Sequence, residues 1–196
     1  MHPNPAFRSD ATQADLLARA ERTGFAHVFA ATPAGPMVVH APVTLHGAAL
    51  RFHVARANRI APHLDGAPVL LSLAETEGYV SPNWYVAPGN QVPTWNHVTI
   101  ECDGVAHAID EAALTEQLDR LAAVHEPREN PWTRAKMDAG IFARMLAGIR
   151  GFEVPVTAVR DTTKLSQNKP AADRAGVVAG LRRAGNTALA DRMAAR

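Results

Sequence analysis

Leu16, Leu17 and Ala20 recur at helical intervals behind Asp10-Ala-Thr-Gln13, which has the spacing of a capping box, and predict a helix over residues 10–23. Gly24 ends it. The apolar period then drops to two. Residues 25–31, 37–45 and 49–55 alternate as strands, with turn residues Pro33-Ala-Gly35 and His46-Gly47 between them, so a meander of hairpins is expected. A short helix near 59–64 leads through Asp65-Gly66 into residues 69–73, apolar enough for a central strand. Residues 98–109 form another long strand, in which Asp103-Gly104 reads as a bulge rather than a hairpin turn because a barrel strand must bend. Helices near 111–125 and 134–147 follow. Alternation returns over 151–159, with Phe152, Val154 and Val156 on one side, and the chain is helical again from Ala171.

Antiparallel strands with helices gathered at the ends define an α+β fold built on a β-barrel, with peripheral helices and a C-terminal helical tail. The expected organisation is a barrel domain over 1–160, with inserted helices at about 111–147, and a polar linker and tail over 161–196.

Composition narrows the picture. At 196 residues and 47% hydrophobic content the chain can bury one substantial core. Its longest apolar runs, such as Val69-Leu70-Leu71, fall far short of the roughly 20 residues that cross a bilayer, so no membrane association is expected. The start, Met1-His-Pro-Asn-Pro-Ala-Phe7, lacks the pattern of a secretory signal, and a cytoplasmic location is the expectation. A single cysteine, Cys102, excludes an intrachain disulfide. A net charge of +1 indicates no particular partner.

Candidate chemistry gathers in three places. Both tyrosines and two of the three tryptophans fall in Tyr79-Val-Ser-Pro-Asn-Trp84-Tyr85 and Val92-Pro-Thr-Trp95-Asn96. Trp84, Tyr85 and Trp95 can wall a flat ligand whose polar edge meets Ser81, Thr94 and Asn96; they can equally pack a loop or a subunit interface. In Phe52-His-Val-Ala-Arg-Ala-Asn-Arg59 a strand runs into an expected helix start, where free amides beside Arg56 and Arg59 suit a phosphate. Lys164-Leu-Ser-Gln-Asn-Lys-Pro170 offers many donors, or serves as a polar linker. The nine histidines are scattered without metal-ligand spacing. From Asp161 onward seven Lys/Arg stand against three Asp, so this basic tail is a candidate DNA contact, although Gly185-Asn186 makes only a thin helix-turn-helix break.

The phrases Tyr79-Val-Ser-Pro-Asn-Trp-Tyr85, Val92-Pro-Thr-Trp-Asn96 and Lys164-Leu-Ser-Gln-Asn168, preceded by His40-Ala-Pro42 and His53-Val-Ala-Arg-Ala-Asn58, resemble the PaiB family of FMN-binding negative transcriptional regulators. The resemblance spans nearly the whole chain. It implies a split β-barrel related to pyridoxamine-phosphate oxidases, a homodimer, and FMN at the subunit interface. It further implies that Arg56, Asn58 and Arg59 meet the flavin phosphate and that His53 lies beside the ribityl chain or ring. Thr94, Trp95 and Asn96 would approach the isoalloxazine, with Lys164 and Gln167 reaching across from the partner subunit. Two positions depart from the family pattern: His97 stands where tyrosine is usual and Ala41 where leucine is usual. The alternative to a regulator is a flavin-dependent oxidoreductase or a haem-handling split-barrel enzyme acting on a small substrate, with His53 and His97 as acid–base candidates.

Overall fold

A computed structural model describes residues 4–87 and 89–195. Met1 to Pro3, used above in reading the N-terminus, Pro88 of the aromatic segment and Arg196 of the tail lie outside the described residues. The chain divides into two compact units, each assembled from separate stretches rather than cut once near residue 160. One comprises Thr12–Leu73 and Glu101–Val159, the other Met1–Ala11, Ala74–Ile100 and Arg160–Arg196.

Alternation builds the first unit. In β1 (Phe25–Thr32) Ala26, Val28 and Ala30 are buried while Phe25, His27 and Phe29 face outward. β1 pairs with β2 (Gly35–His46), and a two-residue turn with Gly47 at φ 62° returns β2 into β3 (Ala49–Ala55). The strand order is β3-β2-β1-β4-β5-β7-β6, with β4 (Pro68–Val80), β5 (Thr94–Val105), β6 (His107–Ala108) and β7 (Ile149–Lys164). Pairing of β3 with β7 closes the expected split barrel. At that seam Phe52 sits opposite Phe152, both fully buried, with ring centroids 5.5 Å apart.

Three helices cover this unit. α1 (Gln13–Thr23) starts two residues later than the Asp10 spacing suggested. The reciprocal capping box is Thr12 with Asp15, and Gly24 in the left-handed region ends the helix. α2 (Glu111–His125) matches its expected span. α3 (Ala139–Leu146) is shorter than expected, because Asp138 caps it by accepting a hydrogen bond from the Ile141 amide, and residues 134–136 form only a 3-10 turn. Asp103-Gly104 makes no turn and lies inside β5. A Cβ on Gly104 would come within 2.5 Å of the Pro155 carbonyl oxygen, so glycine is required here by close backbone approach.

Charged pairs hold α2 and α1 to the barrel. Arg51 donates to Glu153 at 2.6 Å and to Glu116 at 3.0 Å. Glu21 receives two hydrogen bonds from Arg120, both at 2.8 Å, and one from the Leu45 amide at 3.0 Å. The Arg120 guanidinium outweighs the opposing effect of burial and holds the Glu21 carboxyl below the usual carboxylate range. A depressed native pKa gives stability that is present above the unfolded value near 4.5 and is lost as pH falls through the native value. Glu21→Gln should therefore cost about 1–3 kcal/mol at neutral pH. It should also flatten the acid limb of the midpoint-versus-pH curve, as thermal melts from neutral pH down to about pH 3 will show.

The second unit carries α4 (Ala171–Arg183) and α5 (Thr187–Ala194), joined at Gly185-Asn186. Their inner faces, Val177, Leu181, Leu189, Ala190 and Met193, pack with Val80, Tyr85, Val98 and Leu165 in one buried cluster. β4 runs on to Val80, beyond the apolar stretch that defined it in sequence, and Asn186 donates to the Glu77 carbonyl at 2.8 Å.

Candidate functional site

In the second unit the aromatic segment does not act as one wall. Trp84, in a 3-10 turn (Pro82–Trp84), lies on a glycine track along α4, where a Cβ on Gly180 would come within 2.2 Å of the indole and one on Gly176 within 2.1 Å of the Trp84 carbonyl oxygen. Tyr85 is buried under the Lys169 ammonium, which stands 5.1 Å from its ring centre. Burial pushes the Tyr85 phenol up, and Asp173 adds to this. Two aromatics stay open to solvent: Tyr79, on β4 rather than in a loop and 45% exposed, and Trp95, at the start of β5 and 49% exposed. The Tyr79 ring meets those of Trp95 at 6.2 Å and Trp84 at 6.3 Å, edge-on in both cases.

Lys164, the last residue of β7, donates to the Thr94 hydroxyl of its own chain at 2.5 Å. Among the described residues no carboxylate pairs with it, and burial lowers its ammonium pKa. Lys164 thus sets a half-buried cation against the Thr94 hydroxyl, while Trp95, the next residue of β5, presents its indole on the exposed face of the strand.

The other two residues expected beside them are used within the fold. Asn96 is fully buried and donates to the Ser166 hydroxyl at 2.9 Å and to the Met193 sulfur at 3.4 Å. Gln167 accepts from the Leu165 amide at 2.7 Å and donates to the Thr163 and Ala6 carbonyls at 2.6 and 2.9 Å. Both act from beneath, shaping the turn that carries Lys164.

The first unit holds the remaining expected residues. The helix predicted at 59–64 is only a 3-10 turn, Ala61–His63, and its amides are taken: Ile60 donates to the Asn58 side chain, and Ala61 to the Asn58 carbonyl. The phosphate site based on free helix amides is therefore absent, leaving side chains alone. Arg56 is exposed and spends two guanidinium donors on the Ala147 and Ile149 carbonyls, at 2.9 and 3.2 Å. Arg59 is exposed. His53 points outward from β3 toward α2, where its Nδ1 lies 2.9 Å from the Gln117 Oε1. Gln117 had no place in the expected site, although a polar residue on the Leu114, Leu118, Leu121 side of α2 is the kind of signal that marks one.

The closed antiparallel sheet with its peripheral helices defines a split-barrel fold. A family model described as "Putative FMN-binding domain" matches residues 1–158, and the chain belongs to that family. The PaiB resemblance is borne out by the protease synthase and sporulation protein PAI 2 of Bacillus subtilis. It is 31% identical over 111 residues, covering 56% of this chain and 53% of that protein. The match thus spans about half the length of that relative. Among solved structures, the flavocytochrome Anf3 of Azotobacter vinelandii shares the fold with a TM-score of 0.68 at 17% identity, covering 89% of this chain and 78% of that one. The FAD and heme binding protein of Mycobacterium smegmatis does so with a TM-score of 0.60 at 16% identity, covering 86% and 78%. No helix among the described residues is long and apolar enough to cross a membrane.

The residues present fit FMN. An open aromatic pair suits a flat ring, and a lysine without a carboxylate partner suits its electron-rich edge. FMN, when bound, supplies a ring that accepts one or two electrons.

Proposed function

We propose that this protein is a cytoplasmic, homodimeric, FMN-binding regulator of the PaiB type that acts as a negative regulator of transcription. The observation that carries the reading is the family match over residues 1–158, which joins the chain to FMN-binding domains over most of its length. Thr94, Trp95 and Lys164, with Tyr79 beside them, are assigned to the flavin ring. A cation beside the ring favours the reduced, anionic flavin, so Lys164 is the residue that tunes a redox sensor.

The outward face of β1 and β2 supports the dimer. Phe25, Phe29 and Val38 are exposed there, with His27 and His40 in edge contact at 4.5 Å between ring centres. Phe29→Lys should turn a dimer into a monomer in light scattering after gel filtration, while a wild-type chain that is already monomeric contradicts this part of the reading.

DNA contact by the tail is the less supported element. The apolar sides of α4 and α5 are committed to the core, and Arg182 and Arg192 pair with Asp191 and Glu75. Salt-sensitive binding to the protein's own promoter, weakened by Arg182→Ala with Arg183→Ala, would support it. The second reading, a flavin-dependent oxidoreductase, is favoured by the exposure of Trp95 and Tyr79, which leaves room for a substrate. NADPH consumption by the FMN-loaded protein separates it from a regulator.

A further inference from the structure

The hairpin register of β1 and β2 sets side by side two histidines that the sequence keeps apart. His27 stands directly opposite His40, both are exposed on the outward face, and their ring centres are 4.5 Å apart with the planes at 84°. Phe25 stacks on His40, with ring centres 6.4 Å apart and planes 12° from parallel, which restricts how that imidazole can turn.

No residue from Phe25 to Leu45 carries a carboxylate, an ammonium or a guanidinium. The other outward side chains of β1, and those of β2 as far as Pro42, are apolar, Phe29 and Val38 among them. On these two strands the imidazoles are therefore the only outward groups able to ligate a metal. Neutral imidazole is the commonest metal ligand, and it suits zinc and its transition-metal neighbours. With metal–nitrogen bonds of about 2 Å, two imidazoles on one tetrahedral metal hold their ring centres about 5 Å apart, close to the separation found here.

One chain supplies too few donors. Among the described residues no group of three or more His, Cys, Asp or Glu could hold a metal ion, whereas a closed tetrahedral site takes four ligands. A twofold axis through this patch brings the same pair from a second copy to the same point, because a twofold interface apposes each patch to itself. Two sheets packed face to face stand about 10 Å apart, a gap that imidazoles from both sides fill with a metal between them. We infer that His27 and His40, with the same pair from a second copy, bind one zinc-class divalent ion that locks the dimer. The inference rests on the reading of the β1–β2 face as the dimer interface, and the site is incomplete without the second copy.

The test uses the untagged chain, stripped with EDTA and then titrated with Zn²⁺ or Co²⁺ alone. Zinc should bind at one ion per two chains, and Co²⁺ should give the intense visible absorption of a tetrahedral nitrogen site. Removing the metal should weaken dimerisation at least tenfold in sedimentation equilibrium. His27→Ala and His40→Ala, both at exposed positions, should abolish the cobalt bands and, with zinc present, dimerise as weakly as the stripped protein. His107→Ala, exposed on β6, should behave as wild type. A wild-type dimer that ignores EDTA and binds no zinc would overturn the inference and leave the dimer reading standing. Zinc bound at one ion per chain, or bound equally well after His27→Ala and His40→Ala, would also overturn the inference alone. A chain that is monomeric with and without zinc would overturn both.

Discussion

Gly180→Ala should destabilise the protein by about 1–3 kcal/mol, although the same change in an exposed helix stabilises by about 1 kcal/mol. The sign reverses because the new methyl group would stand 2.2 Å from the Trp84 indole. Trp84 cannot retreat easily, since its own carbonyl faces Gly176 within the same turn of helix. The indole must lift off α4, carrying with it the 3-10 turn that delivers Tyr85 to the core. Denaturant unfolding gives the magnitude, and a red-shifted tryptophan emission in the native state reports the lifted ring. A Gly180→Ala protein more stable than wild type, with unchanged emission, would show that the glycine track is not what seats Trp84.

Trp95→Ala should weaken FMN binding at least tenfold, or ~1.4 kcal/mol, with little effect on stability because the indole is half exposed. Lys164→Met should weaken it as well and lower the flavin reduction potential, because the cation that favours the reduced ring is gone. Tyr85→Phe should change neither property, since Tyr85 is buried against Lys169 and the core. The contrast matters because Tyr85 and Trp95 are equally prominent in sequence. Unchanged FMN affinity in Trp95→Ala would place the ring elsewhere.

That contrast also shows where the sequence stops being readable. Period-two alternation located β1, β2 and β3 within a residue or two, and helical spacing located α2 to the residue, because those patterns are local. The second half of β4 was not legible. Glu75-Thr-Glu-Gly78 looks like a polar turn, yet Gly78 is where Asn186 and Leu189 of the tail come down on the strand. Nor could the aromatic segment be divided from its own residues. Whether Trp84 packs or waits for a ligand is decided by Gly176 and Gly180, about ninety positions away, whose four-residue spacing is the one available hint. His53 stood out as a site residue on resemblance alone, but its partner Gln117 lies 64 positions on, on α2 and outside every motif. Asn96 and Gln167 sit inside the most recognisable motifs and are consumed by the fold, so those motifs record architecture as well as contact.

The most direct test of the central claim is a titration of the purified chain with FMN, followed by tryptophan fluorescence and the visible spectrum after gel filtration. The expected result is micromolar or tighter binding of one FMN per chain, quenching that Trp95→Ala largely removes, and a yellow protein that keeps its flavin absorbance through the column. A colourless protein with no quenching at micromolar FMN would contradict it.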